Sequence, residues 1–254
     1  MLNRIRSVLR KSLTEIAYSV AWKLGARTAA SKVTQRAIFT RIHETNAWGD
    51  PESRSGPGST VARGTGLRPA LVDLLTRYSV STLLDAPCGD FNWMRYVTAG
   101  LNVSYVGVDV VETLVAQNNT LHGDQRHRFE CGDVTRDPLP RADLILCRDA
   151  LVHLSFADVR AALDNFRRSG SRYLLTTTFI DLPHNEDTRT GGWRPLNLQA
   201  EPFLFPEPIA LIDDFPAGGI APGKRLALWE LASIRHAGAA SPAAAPARSL
   251  GYIR

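Results

Sequence analysis

The segment Leu83-Leu84-Asp85-Ala86-Pro87-Cys88-Gly89-Asp90-Phe91-Asn92-Trp93 joins an apolar run to a compact polar turn. The run at 80–84 has the composition of a buried β-strand, and it leads directly into the carboxylate of Asp85. Pro87 and Gly89 then interrupt regular structure before a helical pattern resumes at Trp93. A parallel strand of an open α/β sheet presents a ligand-binding loop in this way, at the carboxyl edge of the sheet. The segment therefore predicts a binding pocket, and the rest of the chain is interpreted as the remaining walls.

Strand and helix patterns alternate downstream of this segment. Further strands are predicted at 104–109, 128–134, 142–149 and 172–180, and helices at 111–119 and 156–169. Two more strands are predicted at 208–213 and 226–234, on either side of a turn at 216–223 that is rich in proline and glycine. Alternation of this kind predicts an α/β fold with a doubly wound sheet.

The length and composition favour one main domain. The chain has 254 residues, of which 44% are hydrophobic, enough for one sizeable core. We predict that domain at 67–235, preceded by basic amphipathic helices in 1–45 and a Gly/Ser/Pro-rich lid loop at 46–66, and followed by a disordered tail at 236–254. The lid is favoured over a plain linker because Phe39 and Trp48 are close to it. Three widely spaced cysteines favour reduced thiols and a cytoplasmic location over a disulfide framework.

Positive charge is concentrated at the amino end of the chain. Residues 1–41 hold nine Lys and Arg and a single acid, whereas the other residues hold 21 basic and 24 acidic side chains. Residues 42–254 therefore have a net negative charge. They lack the basic surface with which nucleic-acid-binding proteins contact phosphates. Apolar residues at helical spacing over 2–24 predict an amphipathic helix that packs on the domain or on a second copy, as in a homodimer. Binding to a membrane surface and, less well supported, a signal peptide are the alternatives. No apolar run is long enough for a transmembrane segment.

Acidic residues end three successive strands, at Asp85, Asp109 and Asp133. A dinucleotide site would need a GxGxxG turn for the pyrophosphate, and residues 85–90 lack one. The carboxylate of Asp109 could instead accept hydrogen bonds from ribose hydroxyls. Asp133 could accept one from an adenine amine, with Val134 against the ring. Several carboxylates at one edge of the sheet also favour a cationic adenosyl ligand.

With these motifs the chain resembles class I S-adenosylmethionine-dependent methyltransferases. The resemblance covers residues 46–234 and rests on four segments in the expected order, 85–90, 105–109, 132–133 and 143–149. It departs from the family at the first motif, where Gly89 is the only glycine kept from the pattern E/DxGxGxG. The resemblance implies S-adenosyl-L-methionine as the cofactor, and a Rossmann-like seven-stranded sheet in which the last two strands form an antiparallel closing hairpin. The residues expected to bind the cofactor are Asp85, Pro87, Gly89, Asp90, Trp93, Asp109, Val110, Asp133, Val134 and Arg148.

Methyl transfer to a hydroxyl needs an aligned acceptor and a group that removes its proton. His153 follows the fourth predicted strand and lies four residues after Asp149. We predict that His153 is the general base and that the carboxylate of Asp149 orients its imidazole or contacts the substrate. A packed or helix-capping histidine is the alternative.

The segment 181–198 follows the fifth predicted strand and is longer than an ordinary connection. Its polar groups and its tryptophan favour a site for a sugar or another polar small molecule, with a solvated loop as the alternative. The residues predicted to contact this acceptor are His184, Asn185, Trp193 and Arg194. A divalent cation held by Asp149, Glu186 and Asp187 is a further hypothesis, because some sugar O-methyltransferases bind one.

The leading functional hypothesis is an enzyme of class EC 2.1.1 that methylates a hydroxyl of a polar small molecule or carbohydrate, similar to bacterial small-molecule and polysaccharide methyltransferases. Cys147-Arg148-Asp149-Ala150 stands where the family's Asn-Pro-Pro-Tyr type signature for amino-group methylation would be, which disfavours an adenine or glutamine amide acceptor. A protein or nucleic-acid acceptor is the first alternative. The second is a noncatalytic protein of the same fold that docks to a partner through its basic helix.

Overall fold

A computed structural model describes residues 34–214 and 223–234, and the backbone of residues 251–253. The helix predicted at 2–24, and a homodimer contact through it, lie outside these residues, as do positions 216–222 of the predicted turn and most of the predicted tail. No helix in the described part of the chain is long and apolar enough to cross a membrane.

The described residues form five helices and eight strands, and the elements within 67–235 follow the order predicted for the main domain. The helices are α1 (Gln35–Glu44), α2 (Val61–Arg77), α3 (Met94–Thr98), α4 (Glu112–His122) and α5 (Phe156–Arg168), with single 3-10 turns at Pro57–Ser59, Leu151–His153 and Leu231–Ser233. The strands are β1 (Thr82–Asp85), β2 (Ser104–Asp109), β3 (His127–Cys131), β4 (Leu144–Cys147), β5 (Tyr173–Phe179), β6 (Ala210–Asp213), β7 (Lys224–Glu230) and β8 (Gly251–Ile253).

All the described strands form one sheet, in the order β3-β2-β1-β4-β5-β7-β6-β8. Strands β1 to β5 are parallel, and β7 lies antiparallel between β5 and β6. The predicted Rossmann-like doubly wound sheet with an antiparallel closing hairpin is therefore confirmed. The strand β8 adds an eighth member, parallel to β6, inside the tail predicted to be disordered. Its three residues pair through the backbone with the edge of β6, a tertiary contact that local composition does not reveal.

The sheet carries an apolar core on each face, because successive side chains of a strand point to opposite sides. Leu83 and Leu144 pack in the core formed with α2 and α3, whereas Leu84 and Ile145 pack in the core formed with α5. Burial on both faces explains why β4 is an unbroken apolar run and why Leu83 and Leu84 are adjacent in β1. Because the helices cover the faces of the sheet, its carboxyl edge remains for a site.

Helix α2 begins at Val61, six residues before the predicted start of the main domain at Leu67. Gly64 and Leu67 are buried and extend the packed face of the helix upstream of Pro69. A Cβ at Gly64 would overlap the Cβ of Trp93, in the loop after β1. The predicted lid loop is therefore shorter than expected at its carboxyl end, because residues 61–66 belong to a helix that packs on the loop after β1.

Asp143 connects the beginning of β4 to the beginning of β1 through hydrogen bonds. Its Oδ2 accepts hydrogen bonds from the backbone N–H and the hydroxyl of Ser81, at 2.9 and 2.7 Å, and from the backbone N–H and the hydroxyl of Thr82, at 2.8 and 2.9 Å. Although burial opposes its ionisation, these bonds lower the pKa of Asp143 to about 2. The ionised carboxylate therefore stabilises the pairing of the two central strands.

We expect Asp143→Ala to lower the free energy of unfolding by about 1–3 kcal/mol at neutral pH, since it removes bonds to a charged acceptor. The difference from wild type should be complete above about pH 4, the ordinary pKa of an aspartate, and should shrink as the pH falls toward 2. Urea unfolding at several pH values measures it. Asp73→Ala, which removes an exposed pair with Arg77, is the control and should cost about 0.5 kcal/mol or less. A pH-independent difference would contradict the role given to the charge.

Candidate functional site

The loops after β1, β2, β3 and β4 line one cavity at the carboxyl edge of the sheet. The cavity also has walls from α1 and from the segment 48–59, which we call the lid. Its strand-end residues are Asp85, Pro87, Cys88, Gly89 and Trp93 after β1, Asp109, Val110, Val111 and Leu114 after β2, Gly132 and Val134 after β3, and Arg148, Asp149, Ala150, His153 and Leu154 after β4. Most residues predicted to bind the cofactor therefore come together.

The loop after β1 approaches the lid closely at Gly89. This residue has a φ of 55°, in the left-handed region that favours glycine. A Cβ added there would lie 2.5 Å from the hydroxyl oxygen of Ser55 in the lid. Asp85, at the start of the loop, is buried and accepts a hydrogen bond from the hydroxyl of Tyr105 at 2.7 Å. Burial raises the pKa of Asp85 to about 7.

Asp109 joins the loops after β1 and β2. Its Oδ2 accepts a hydrogen bond from the N–H of Gly89 and its Oδ1 accepts one from the N–H of Val111, each at 3.0 Å. Burial raises the pKa of Asp109, although these backbone bonds act in the opposite direction. Each carboxylate oxygen can accept more than one hydrogen bond. Asp109 can therefore hold the loop and still accept bonds from a ligand in the cavity.

Two of the predicted cofactor-binding carboxylates, Asp90 and Asp133, do not line the cavity. Asp133 lies beyond the end of β3, and its Oδ1 accepts bonds from the N–H and the hydroxyl of Thr135, at 3.0 and 2.6 Å. Its Oδ2 pairs with Arg136 at 3.2 Å. Asp90 accepts a hydrogen bond from the hydroxyl of Ser53 at 2.7 Å. Neither side chain is among the cavity-lining residues of the described chain, in contrast to the sequence prediction.

Helix α1 lies along the end of the cavity at β2 and β3. Gln35 donates to the hydroxyl of Thr135 at 3.2 Å, and Phe39 packs against Val110, Val111 and Leu114. The sequence predicts this helix and its apolar face but not the surface that the face covers. An aromatic ring beside valine side chains makes this end of the cavity apolar, which suits a purine ring.

The lid is held by polar contacts with the strand-end loops. Ser53 donates to Asp90, whose N–H donates to the hydroxyl of Ser55 at 2.9 Å. The carbonyl oxygen of Gly58 accepts a hydrogen bond from Arg148 at 2.7 Å. The lid residues that line the cavity are Trp48, Arg54, Ser55 and Ser59. The lid loop inferred from composition is thus a wall of the cavity.

Four charged side chains form a buried cluster beside the loop after β4. Arg148 pairs with Asp214 at 2.9 Å, and Lys224 pairs with Asp214 at 3.0 Å and with Asp149 at 2.8 Å. Although burial opposes ionisation, the charges of Arg148 and Lys224 lower the pKa of Asp149 to about 2. The guanidinium of Arg148 also lies 5.1 Å from the ring centre of Trp93. Asp149 is therefore an ionised group in the cavity wall at neutral pH.

His153 presents a neutral imidazole to the same cavity. Its Nδ1 lies 2.7 Å from the carbonyl oxygen of Gly192. Because a carbonyl oxygen only accepts, Nδ1 carries the proton and Nε2 keeps a free lone pair. Burial lowers the pKa of His153, and the ring of Trp48 packs against it at 5.1 Å between centroids. The Gly192 carbonyl orients the ring, whereas the carboxylate of Asp149, predicted for this role, is bound by Lys224.

The segment 181–198 does not bring its predicted acceptor contacts into the cavity. Asn185 uses its amide for the backbone of Asn197 and Glu201. His184 is exposed, and Trp193 is 59% exposed. Arg194 is buried and binds backbone carbonyl groups. In the described chain none of the four lines the cavity.

The hypothetical cation ligands are also dispersed. Glu186 and Asp187 are exposed, and Asp187 accepts a hydrogen bond from the N–H of Phe156 at the start of α5. Asp149 is paired with Lys224. Over residues 34–214 and 223–234, no three His, Cys, Asp or Glu side chains form a group that could hold a metal ion.

Residues 83–170 match a protein-family model described as a methyltransferase domain. The matched segment begins in β1 and extends past α5, so it contains the loops after all four strands that line the cavity. No curated protein matches the chain in sequence. Residues 83–170 are therefore similar in sequence to a methyltransferase domain.

Several solved methyltransferase structures are similar to this chain at low sequence identity. Magnesium protoporphyrin IX methyltransferase from Synechocystis PCC 6803, with bound S-adenosylmethionine, has a TM-score of 0.46 and 13% identity, over 63% of this chain and 82% of that one. The N-methyltransferase NodS from Bradyrhizobium japonicum WM9 has a TM-score of 0.45 and 14% identity, over 56% and 74%. Human N-acetylserotonin methyltransferase has a TM-score of 0.41 and 12% identity, over 60% of this chain and 42% of that one. The match thus spans less than half of the human enzyme.

We expect Asp109→Ala to weaken the binding of S-adenosylhomocysteine by about tenfold or more, because a buried charged acceptor is lost. Asp133→Ala is the matched control: its carboxylate serves a local turn, so affinity should change by less than about threefold. Isothermal titration calorimetry measures both, with thermal unfolding to verify that each variant is folded. Equal losses in the two variants would contradict the separation between a cavity carboxylate and a turn carboxylate.

Proposed function

We propose that this enzyme transfers the methyl group of S-adenosylmethionine to a hydroxyl of a polar small molecule, with polyols and carbohydrates as the leading class. The observation that carries the proposal is the imidazole of His153, whose Nδ1 is engaged by Gly192 while the ring lines the same cavity as Asp109 and Gly89. A neutral imidazole with a free Nε2 is a suitable general base for a hydroxyl.

The residues of the cavity fit S-adenosylmethionine. Asp109 can accept bonds from ribose hydroxyls, and the apolar end formed by Phe39, Val110 and Val134 suits adenine. Asp85 and Gly89 would then face the methionine end. When bound there, the cofactor supplies an electrophilic methyl group.

The two candidate catalytic residues differ in ionisation, which assigns them different roles. The pKa of Asp149, lowered to about 2, makes its carboxylate a poor base near neutral pH. Burial lowers the pKa of His153, which favours the neutral imidazole that can accept a proton. We therefore assign proton removal to His153, and to Asp149 a hydrogen bond with a hydroxyl of the acceptor.

The walls that α1 and the lid add on one side of the cavity favour a small acceptor. Helix α1 and the lid form one side of the cavity, and a Cβ at Gly58 in the lid would lie 2.9 Å from Oδ2 of Asp149. A segment of protein or nucleic acid would need the lid displaced from this position. A polyhydroxyl molecule would meet a carboxylate, an imidazole and the Trp48 ring, a combination suited to sugars.

The proposal is tested by screening transfer of a labelled methyl group from S-adenosylmethionine to sugars, other polyols, phenols, amines, lipids and protein extracts. An O-methylated small molecule is the expected product. Label in an amine, a protein or a nucleic acid would overturn the acceptor class. Calorimetry with S-adenosylhomocysteine accompanies the screen, and absence of binding would overturn the assignment of the cavity.

With an acceptor in hand, we expect His153→Ala to lower kcat by about 10²–10⁴ while the affinity for S-adenosylhomocysteine stays within about twofold, since the base acts only on the acceptor. In the wild type, kcat/KM should fall on the acid side below about pH 6.5, because protonation removes the lone pair of Nε2. His184→Ala changes an exposed histidine outside the cavity and should leave both quantities unchanged. Normal turnover in His153→Ala would remove this residue as the base.

A further inference from the structure

The turn that carries His153 depends on contacts from outside itself. A single 3-10 turn, Leu151–His153, makes too few internal hydrogen bonds to fix its own geometry. The loop after β5 supplies the missing partners through its backbone. The N–H of Arg194 donates to the carbonyl of Val152 at 3.1 Å, and the N–H of Gly191 donates to the carbonyl of His153 at 2.8 Å. The turn and the loop therefore form one unit.

The side chain of Arg194 binds the two ends of this turn. Its Nη1 donates to the carbonyl oxygen of Leu151 and its Nη2 to that of Leu154, both at 2.8 Å. Its Nε donates to the carbonyl oxygen of Glu186 at 3.2 Å, and the guanidinium carbon lies 5.4 Å from the ring centre of Phe156. One planar group thus connects the histidine turn, the first residue of α5 and the loop after β5.

Arg194 achieves this as a buried cation. Only 6% of the residue is exposed. Burial lowers its pKa to about 10, so the guanidinium stays protonated at neutral pH, with Asp187 as a weaker opposing influence. A buried charge is costly unless polar groups surround it. Here backbone carbonyl oxygens surround the guanidinium, and two of them belong to Leu151 and Leu154 in and after the turn that carries His153.

We propose that Arg194 is a positioning residue for the catalytic base: its guanidinium holds the turn Leu151–His153 so that Gly192 accepts the Nδ1 proton and Nε2 is available to the acceptor. This inference rests on the proposed function of His153. It differs from the sequence prediction, in which Arg194 contacts the acceptor directly. The planar guanidinium is essential, because its two Nη groups donate to the carbonyls of Leu151 and Leu154 at once. A lysine ammonium cannot match this spacing.

Arg194 also affects the ionisation of His153. Burial lowers the pKa of His153, and so do the charges of Arg194 and Lys224, whereas the Gly192 carbonyl and Asp149 raise it. Loss of Arg194 removes one positive charge and loosens the packing that excludes water. Both effects raise the pKa of His153 toward the ordinary value of about 6.5.

The test follows the imidazole of His153 by NMR across pH in the ligand-free full chain, with His153→Ala to assign its signals. In the wild type we expect the Nδ1-protonated tautomer and a pKa below about 6.5. Arg194→Met should give mixed tautomers and a higher pKa. Arg194→Lys keeps the positive charge but loses the planar guanidinium. It should therefore give mixed tautomers of His153 with a smaller rise in the pKa of His153. Arg189→Met removes a charge from an exposed position on the same loop and should change neither.

Turnover completes the test with the acceptor found by the screen. Arg194→Met should lower kcat by about tenfold or more, with S-adenosylhomocysteine affinity within about twofold, as expected when a catalytic group is displaced. A wild-type tautomer and pKa in folded Arg194→Met would overturn the positioning role. If that variant does not fold, a wild-type tautomer and normal kcat in Arg194→Lys would do the same. Normal turnover in His153→Ala, together with altered tautomers in the Arg194 variants, would show that His153 is not the general base. The conclusion that Arg194 positions the turn Leu151–His153 would still stand.

Discussion

The in-register pairing of β1 with its two neighbours is the constraint on which the site depends. Leu83 pairs with Tyr105 of β2 on one side and with Leu144 of β4 on the other. Parallel strands held in this register end at the same edge of the sheet, so loops that are distant in sequence meet around one cavity. A slip of one residue would exchange the two faces of a strand and expose its core side chains. The alternation that builds the two cores therefore also positions Asp85 and Asp109.

The buried charge cluster extends this constraint to the antiparallel part of the sheet. Lys224 begins β7 and reaches Asp149 after β4, while Asp214, just after β6, binds Arg148. Two cations and two anions compensate one another, so none of these charges is buried without a partner. Arg148 also donates to the carbonyl of Gly58. The closing hairpin, the loop after β4 and the lid are thus connected through four charged side chains and the backbone carbonyl of Gly58.

The sequence predicts the fold well because its signals are local: apolar strands, acids at their ends, and helices between them. Roles that depend on tertiary partners are predicted less well. Asp133 follows β3 by two residues, and nearby Thr135 and Arg136 engage its carboxylate. Arg194 belongs to a polar loop, and composition cannot tell whether a guanidinium faces solvent or buried carbonyl groups. The apolar face of α1 can be predicted from the helical spacing of its residues. That spacing does not identify the surface against which Phe39 packs.

The environments of His153 and Asp149 separate two titratable groups on one wall of the cavity. Paired cations keep the carboxylate ionised, whereas burial keeps the imidazole neutral. Groups whose pKa values are moved apart in this way can take different roles at one pH. The tautomer adds direction, because Gly192 occupies Nδ1 and leaves Nε2 as the basic atom. Since Trp48 of the lid packs on the same ring, the lid contributes to the burial that lowers the pKa of His153.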